Sequence, residues 1–158
     1  MRLKNPRRII VCDRDAERLK FVCDRYPEVL TVGPEQVADL VQAYSDHGGA
    51  DVVLEVAGSE ETFRMAWECA RPNAIVTVVA LYDGSQTLPL PEMYGKNLTF
   101  KTGGVDGCNC AEMLELIASG KIDTTPLITH TYALKDIEAA YNLFENRQDG
   151  VIKIAIKP

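Results

Sequence analysis

Residues 9–19, IIVCDRDAERL, decide how the rest of the chain is read. Four apolar residues run without alternation and stop at Asp13, where a helix begins within a residue or two. A strand with no polar face must be covered on both sides, which is the condition of strands in parallel sheets. Working outward, 52–56 (VVLEV) and 75–81 (IVTVVAL) repeat the pattern, with a shorter strand near 29–32. Between them apolar residues recur at i, i+3, i+4 and i+7: Leu19, Val22, Cys23 and Tyr26, then Val37, Leu40, Val41 and Tyr44, then Phe63, Ala66, Trp67 and Ala70. Each set forms one stripe of an amphipathic helix. Ser59 followed by two glutamates marks the start of the third, because a hydroxyl cap and anionic side chains suit a helix N-terminus. Strands alternating with helices in this order predict a doubly wound, mostly parallel α/β sheet.

The stretch 82–97 (YDGSQTLPLPEMYGKN) is rich in turn formers and reads as a long connection. A short strand at 98–102 follows, then the Gly-rich GGVDG, a helix near 109–119 ended by Gly120, and a helix near 135–146 with Ile137, Ala140, Tyr141 and Phe144 on one stripe. Gly150 precedes a last strand at 151–156. The boundary falls near 103–107, giving a first domain over 1–105 and a C-terminal helix-strand extension over 106–158.

The chain has 158 residues, 46% of them hydrophobic and 25% charged, ordinary for a globular fold. With 17 basic against 23 acidic residues the net charge is −6, which argues against nucleic acid or an anionic membrane as partners. The one basic cluster is Arg2, Lys4, Arg7 and Arg8. No apolar run reaches the ~18 residues of a membrane span, and the first residues hold no signal-like apolar core, so a soluble cytoplasmic chain is expected. The five cysteines show no C-x-x-C spacing and read as reduced thiols.

The chemistry lies at the strand ends. Asp13 has two readings: a helix cap shared with Asp15, or the carboxylate that accepts hydrogen bonds from an adenosine ribose and repels a 2′-phosphate, selecting NAD over NADP. In dinucleotide-binding folds that acid lies about 20 residues after G-x-G-x-x-G. Only 12 residues precede Asp13, and no such motif occurs, so the phosphate-cradling turn is expected to lie outside this chain. A catalytic zinc needs three converging protein ligands and one open position. The only histidines are His47 and His130, and the C-x-C of Cys108 and Cys110 lies far from known zinc spacings. No metal ligand and no catalytic residue is assigned.

Four stretches, IIVCDRDAERL, GGADVVLEVAGSEET, AIVTVVALY and GKIDTTPLITHTYALKDIEAAYNLFENRQDGVIKIAIKP, resemble the C-terminal half of zinc-dependent medium-chain alcohol and polyol dehydrogenases. The resemblance covers essentially the whole chain and is specific for the family, not for a substrate. It implies an incomplete Rossmann sheet whose first strand and Gly-rich turn, with the zinc-bearing catalytic domain, belong to the half that is not matched. It also implies a set of cofactor contacts. Asp13 and Arg18 match the residues at the adenosine ribose, and Arg14 the neighbour along the adenine. Val56, Ala57 and Gly58 match the strand end on the adenosine side, while Val79, Ala80 and Leu81, with Gly103, Gly104 and Val105, match backbone segments at the nicotinamide carboxamide. Lys153 matches a basic residue near the pyrophosphate. Read from the residues alone, Gly58, Gly103 and Gly104 are equally turn glycines, and Lys153 is equally a solvated strand residue.

By resemblance the parent activity is zinc-assisted hydride transfer from an alcohol to NAD, and the chain alone is expected to be inactive, with NAD bound weakly or not at all. The alternative is a non-catalytic nucleotide-binding or assembly module, half of a split enzyme. The resemblance implies a homodimer joined through 98–102. In the order 3-2-1-4-5-6 the missing strand is central, so strands 9–12 and 52–56 are expected either to pair directly or to have the gap filled by another segment, with 151–156 the prime candidate.

Overall fold

The computed structural model describes residues 1–103 and 107–158, so the expectations at Gly104 and Val105 lie outside the described residues. The chain divides into two compact units, Met1–Val105 and Asp106–Pro158.

The first unit runs β1 (Ile10–Cys12), α1 (Ala16–Arg25), β2 (Leu30–Val32), α2 (Val37–Tyr44), β3 (Ala50–Glu55), α3 (Glu60–Cys69), β4 (Ala70–Val78), α4 (Leu90–Met93) and β5 (Thr99–Thr102). All of its strand pairings are parallel. Strand β1 pairs with β2, Val11 opposite Thr31. A separate sheet has the order β3-β4-β5, with Val53 opposite Val76 and Val76 opposite Phe100. The helix starts are set by side chains. Asp15 accepts hydrogen bonds from the amides of Glu17 and Arg18. Ser59 and Thr62 form a reciprocal capping box at the start of α3.

The apolar stripes of α2 and α3 account for the core. Val37 and Val41 of α2 pack with Val32 and Cys69, and Ile10 and Met65 lean on the same cluster. On the other side of α3, Phe63 and Trp67 pack with Met93, and Ala66 packs against Ala70, Ala74 and Val76. Lys96 locks the end of α3: its Nζ donates to the carbonyls of Trp67, Glu68 and Ala70 at 2.9, 2.8 and 3.0 Å.

Two expectations are corrected. The strand expected over 75–81 runs Ala70–Val78. Its early half is hidden in sequence by Arg71, Pro72 and Asn73, and its far end leaves the sheet because the Val79 and Ala80 amides both turn to the carbonyl of Glu55. Among the described residues the gap between β1 and β3 is neither closed nor bridged: neither strand pairs with the other or with a third segment in the gap. The expectation treated those edge groups as buried. They border a slot of about 580 Å³ in which Val52 and Leu54 are more than 40% exposed, so the edges lie open to solvent and the premise of buried orphan groups fails. Helices α2 and α3, packed on one face, hold the two sheets together without a strand between them.

The second unit contains α5 (Cys110–Ala118), β6 (Ile128–Ala133), α6 (Ile137–Glu145) and β7 (Lys153–Lys157). Strand β7 pairs in parallel with β6, Thr131 opposite Ala155, and is therefore not the bridging strand. Strand β6, ITHTYA, was not legible as a strand, because its short run alternates with polar residues that serve the strand pair: Thr129 Oγ1 donates to the Lys153 carbonyl and accepts from the Ile152 amide.

Candidate functional site

In open parallel sheets ligands bind outside the carboxyl ends of the strands, and in the first unit those ends carry the chemistry. At the end of β1 the two readings of the carboxylates separate. Asp15 is the helix cap, with Oδ1 at 3.0 and 3.2 Å from the Glu17 and Arg18 amides. Asp13 extends the ladder instead, its amide donating to Val32. Its Oδ1 accepts from the Asp15 amide at 2.9 Å, which orients the side chain, and Oδ2 has no partner among the described residues. Arg14 is exposed. Arg18 lies with Nε 3.7 Å from Asp15 Oδ2, so its ion pair is with the cap and not with Asp13.

At the ends of β3 and β4 one residue organises the rim. Glu55 is the last residue of β3 and only 3% exposed. Its Oε1 accepts from the amides of Ala57 and Gly58, both at 2.9 Å, and its Oε2 accepts from the Tyr82 hydroxyl. Its carbonyl accepts from Val79 and Ala80. Burial by itself would raise this carboxyl, but hydrogen bonds from Tyr82, Gly58, Ala57 and Thr62 outweigh it and hold the group below the ordinary glutamate range. Burial, then the bond to the Glu55 carboxylate, pushes the Tyr82 hydroxyl far above the ordinary tyrosine range. The pair is a carboxylate and a neutral phenol.

Gly58 completes the rim. Its φ is +85°, and a Cβ would sit 2.5 Å from the Leu81 carbonyl oxygen, so only glycine lets 56–58 and 79–81 touch. Gly103 follows β5 at the next strand end and has open space where a Cβ would lie, so no close approach requires glycine there. The rim is apolar and uncovered: Val56 is 66%, Val79 50% and Leu81 96% exposed. Lys153 is an exposed residue at the start of β7, in the second unit.

Glu55, Thr62 and Tyr82 were missed by sequence reasoning. The available signal was a single acid inside the otherwise apolar VVLEVA, a position where an unpartnered charge is not tolerated. Among the described residues no group of three His, Cys, Asp or Glu side chains is placed to hold a metal ion. His130 is hydrogen-bonded, with Nδ1 2.9 Å from Thr129 Oγ1 and Nε2 3.2 Å from Asp149 Oδ2. Burial raises the thiols of Cys12 and Cys69, which keeps them protonated and unreactive. No helix among the described residues is long and apolar enough to cross a membrane.

Comparison with known proteins places this geometry. The family model described as zinc-binding dehydrogenase matches residues 3–119. An alcohol dehydrogenase of Cupriavidus necator is 32% identical over 157 residues, covering 95% of this chain and 42% of that protein. Among solved structures, an alcohol dehydrogenase from Thermus sp. ATN1 superposes with a TM-score of 0.86 at 26% identity, covering 96% of this chain and 44% of that one. Zinc-dependent alcohol dehydrogenase 2 from Streptococcus pneumonia gives a TM-score of 0.88 at 26% identity, covering 96% and 45%. The chain thus spans less than half the length of the proteins it matches.

Proposed function

Because the chain belongs to the zinc-binding dehydrogenase family, we propose that its first unit is a nucleotide-binding unit for the adenosine half of NAD, within an oxidoreductase acting on a small alcohol or polyol. The observation that carries this reading is Asp13: a carboxylate at the carboxyl end of a parallel strand, oriented through Oδ1 and with Oδ2 unpartnered among the described residues. That oxygen suits the ribose hydroxyls and repels a 2′-phosphate. Arg14 lies beside it for the adenine, while exposed Val56, Val79 and Leu81 offer apolar cover to flat rings. The backbone of 79–81 and Gly103 is assigned to the carboxamide. Arg18 contributes less, since its partner is Asp15. When bound, the nicotinamide supplies the hydride acceptor. The described residues do not fit a zinc site.

Binding by these residues alone is weak. A dinucleotide normally gains its pyrophosphate contacts from free amides at a helix N-terminus. Here Asp15 already occupies the first amides of α1, and α3 opens with the capping hydroxyl of Ser59 and with Glu60 and Glu61, whose charges repel an anion. The 158 residues by themselves are expected to form no NADH from an alcohol. Calorimetry on the purified chain should give a dissociation constant for NAD in the range of about 1 mM, weaker for NADP, with the preference lost in Asp13→Ala. A micromolar constant indifferent to Asp13→Ala would overturn the assignment.

A further inference from the structure

Two of the five cysteines are set apart by their surroundings. Cys12 and Cys69 belong to the packed cluster under α2, and the exposed Cys23 of α1 has no cysteine neighbour in sequence. Cys108 and Cys110 are both exposed and one residue apart, where α5 begins in the second unit. The Cys110 amide donates to the Gly107 carbonyl at 3.2 Å, which closes a four-residue turn over 107–110. Asn109, between the two cysteines, has φ −105° and ψ 15°. A backbone bent in this way brings the flanking Cα atoms to about 5.5 Å, against roughly 7 Å in an extended chain. A disulfide spans Cα atoms about 4.4–6.8 Å apart. Gly107 lies at φ +74°, and a Cβ there would sit 3.7 Å from Cys110 Sγ, so this sulfur rests against the turn. Cys108 Sγ donates to Asn109 Oδ1 at 3.5 Å, on the residue that separates the pair.

We propose that Cys108 and Cys110 form a reversible modification site, a dithiol that a small-molecule disulfide of the glutathione type oxidises to an intramolecular disulfide. Thiol–disulfide exchange proceeds through a mixed disulfide and depends on access, which both thiols have. One thiol loses its proton to solvent and attacks a sulfur of the incoming disulfide. That S–S bond breaks, and one small thiolate leaves and takes up a proton. The second cysteine, deprotonated in turn, attacks the protein sulfur of the mixed disulfide, and the other small thiol departs. The chain loses two hydrogens and two electrons, and one small disulfide becomes two thiols. Excess small thiol runs both steps backwards. A zinc-type ion does not suit the pair, since it needs further ligands and no group of three His, Cys, Asp or Glu is assembled among the described residues. The inference uses only the second unit and is independent of the nucleotide reading.

The test treats the full 158-residue chain, reduced and desalted, with glutathione disulfide at neutral pH. Samples are quenched in acid, free thiols are alkylated, and the tryptic digest is weighed by mass spectrometry. Cleavage after Lys101 and Lys121 yields one peptide, 102–121, that holds Cys108 and Cys110 and no other cysteine. This peptide should appear unalkylated and two hydrogens lighter than the dithiol, and a reductant should restore it. The mixed adduct should stay below about a tenth of the closed form, because the second attack is intramolecular. Cys108→Ser and Cys110→Ser should each stop one glutathione heavier, as Cys23 does in the unaltered chain. In urea, where the turn is lost, closure should slow several-fold. The proposal is overturned if peptide 102–121 accumulates two glutathiones, if it remains doubly alkylated after Cys23 has reacted, if its cysteines cross-link two chains instead, or if urea leaves the closure rate unchanged.

Discussion

Replacing Glu55 should unfasten the rim of strand ends, and its cost follows from what the side chain holds. The carboxylate accepts from two amides and a phenol while only 3% exposed. Hydrogen bonds to a charged group are worth about 1.5–3 kcal/mol each, though not additively. The Ala57 amide lies in an exposed turn and regains water, whereas the Tyr82 hydroxyl stays half-buried and loses its partner. Glu55→Ala should therefore cost about 2–4 kcal/mol, a large share of the 5–15 kcal/mol typical of a domain. Glu55→Gln keeps the shape and an acceptor for the amides but loses the charge, and should cost about 1–2 kcal/mol. Folding lowers the Glu55 pKa, so its contribution is present in full above the ordinary glutamate value, about pH 4.3, and is lost as the pH falls through that value to the lower folded one. Urea unfolding of the chain and of Glu55→Gln at pH 7 and at acid pH separates the effects. The variant should unfold about 0.5–1 M urea earlier at pH 7, and the difference should shrink in acid. Equal midpoints at pH 7, or a difference that does not shrink in acid, would refute the reasoning.

Gly58→Ala combines φ +85° with a Cβ contact 2.5 Å from the Leu81 carbonyl; it should cost about 1–3 kcal/mol in a thermal melt and shift the amide signals of 79–81. Lys96→Met removes three carbonyl bonds at the end of α3 and should lower stability by about 2–4 kcal/mol, read by urea unfolding, without altering nucleotide affinity. Strand β5 pairs only with β4 among the described residues and leaves an edge; sedimentation should show a dimer joined by antiparallel pairing of 99–102, and a stable monomer at high concentration would remove that assignment.

Much of the first unit was legible because its cues are local. Continuous β-branched runs mark strands of a parallel sheet, although β3 leaves Val52 and Leu54 exposed, the stripes of Val37, Val41, Phe63 and Trp67 face a core, and Ser59 announces its helix. The end of β4 was not, because two amides leave the sheet for a carbonyl about 25 residues away in sequence, and no local pattern carries that. Strand β6 was missed for a related reason: Thr129 reads as polar, yet its hydroxyl works within the strand pair. The site divides along the same line. Asp13 stood out because a strand and a helix meet there, and the structure assigns capping to Asp15. Glu55 was passed over because an acid in an apolar strand says nothing of the Tyr82 hydroxyl that satisfies it. The open slot was misjudged because the exposure of an edge depends on which helices cover it.

The most direct test of the nucleotide site is an NMR titration of the isotope-labelled chain with NAD. Saturable shifts are expected at Asp13, Arg14 and Val56–Gly58, with the same signals unmoved in Asp13→Ala. Saturable binding that leaves Asp13 and Val56–Gly58 unshifted, or that persists unchanged in Asp13→Ala, would contradict the placement of the nucleotide at these strand ends.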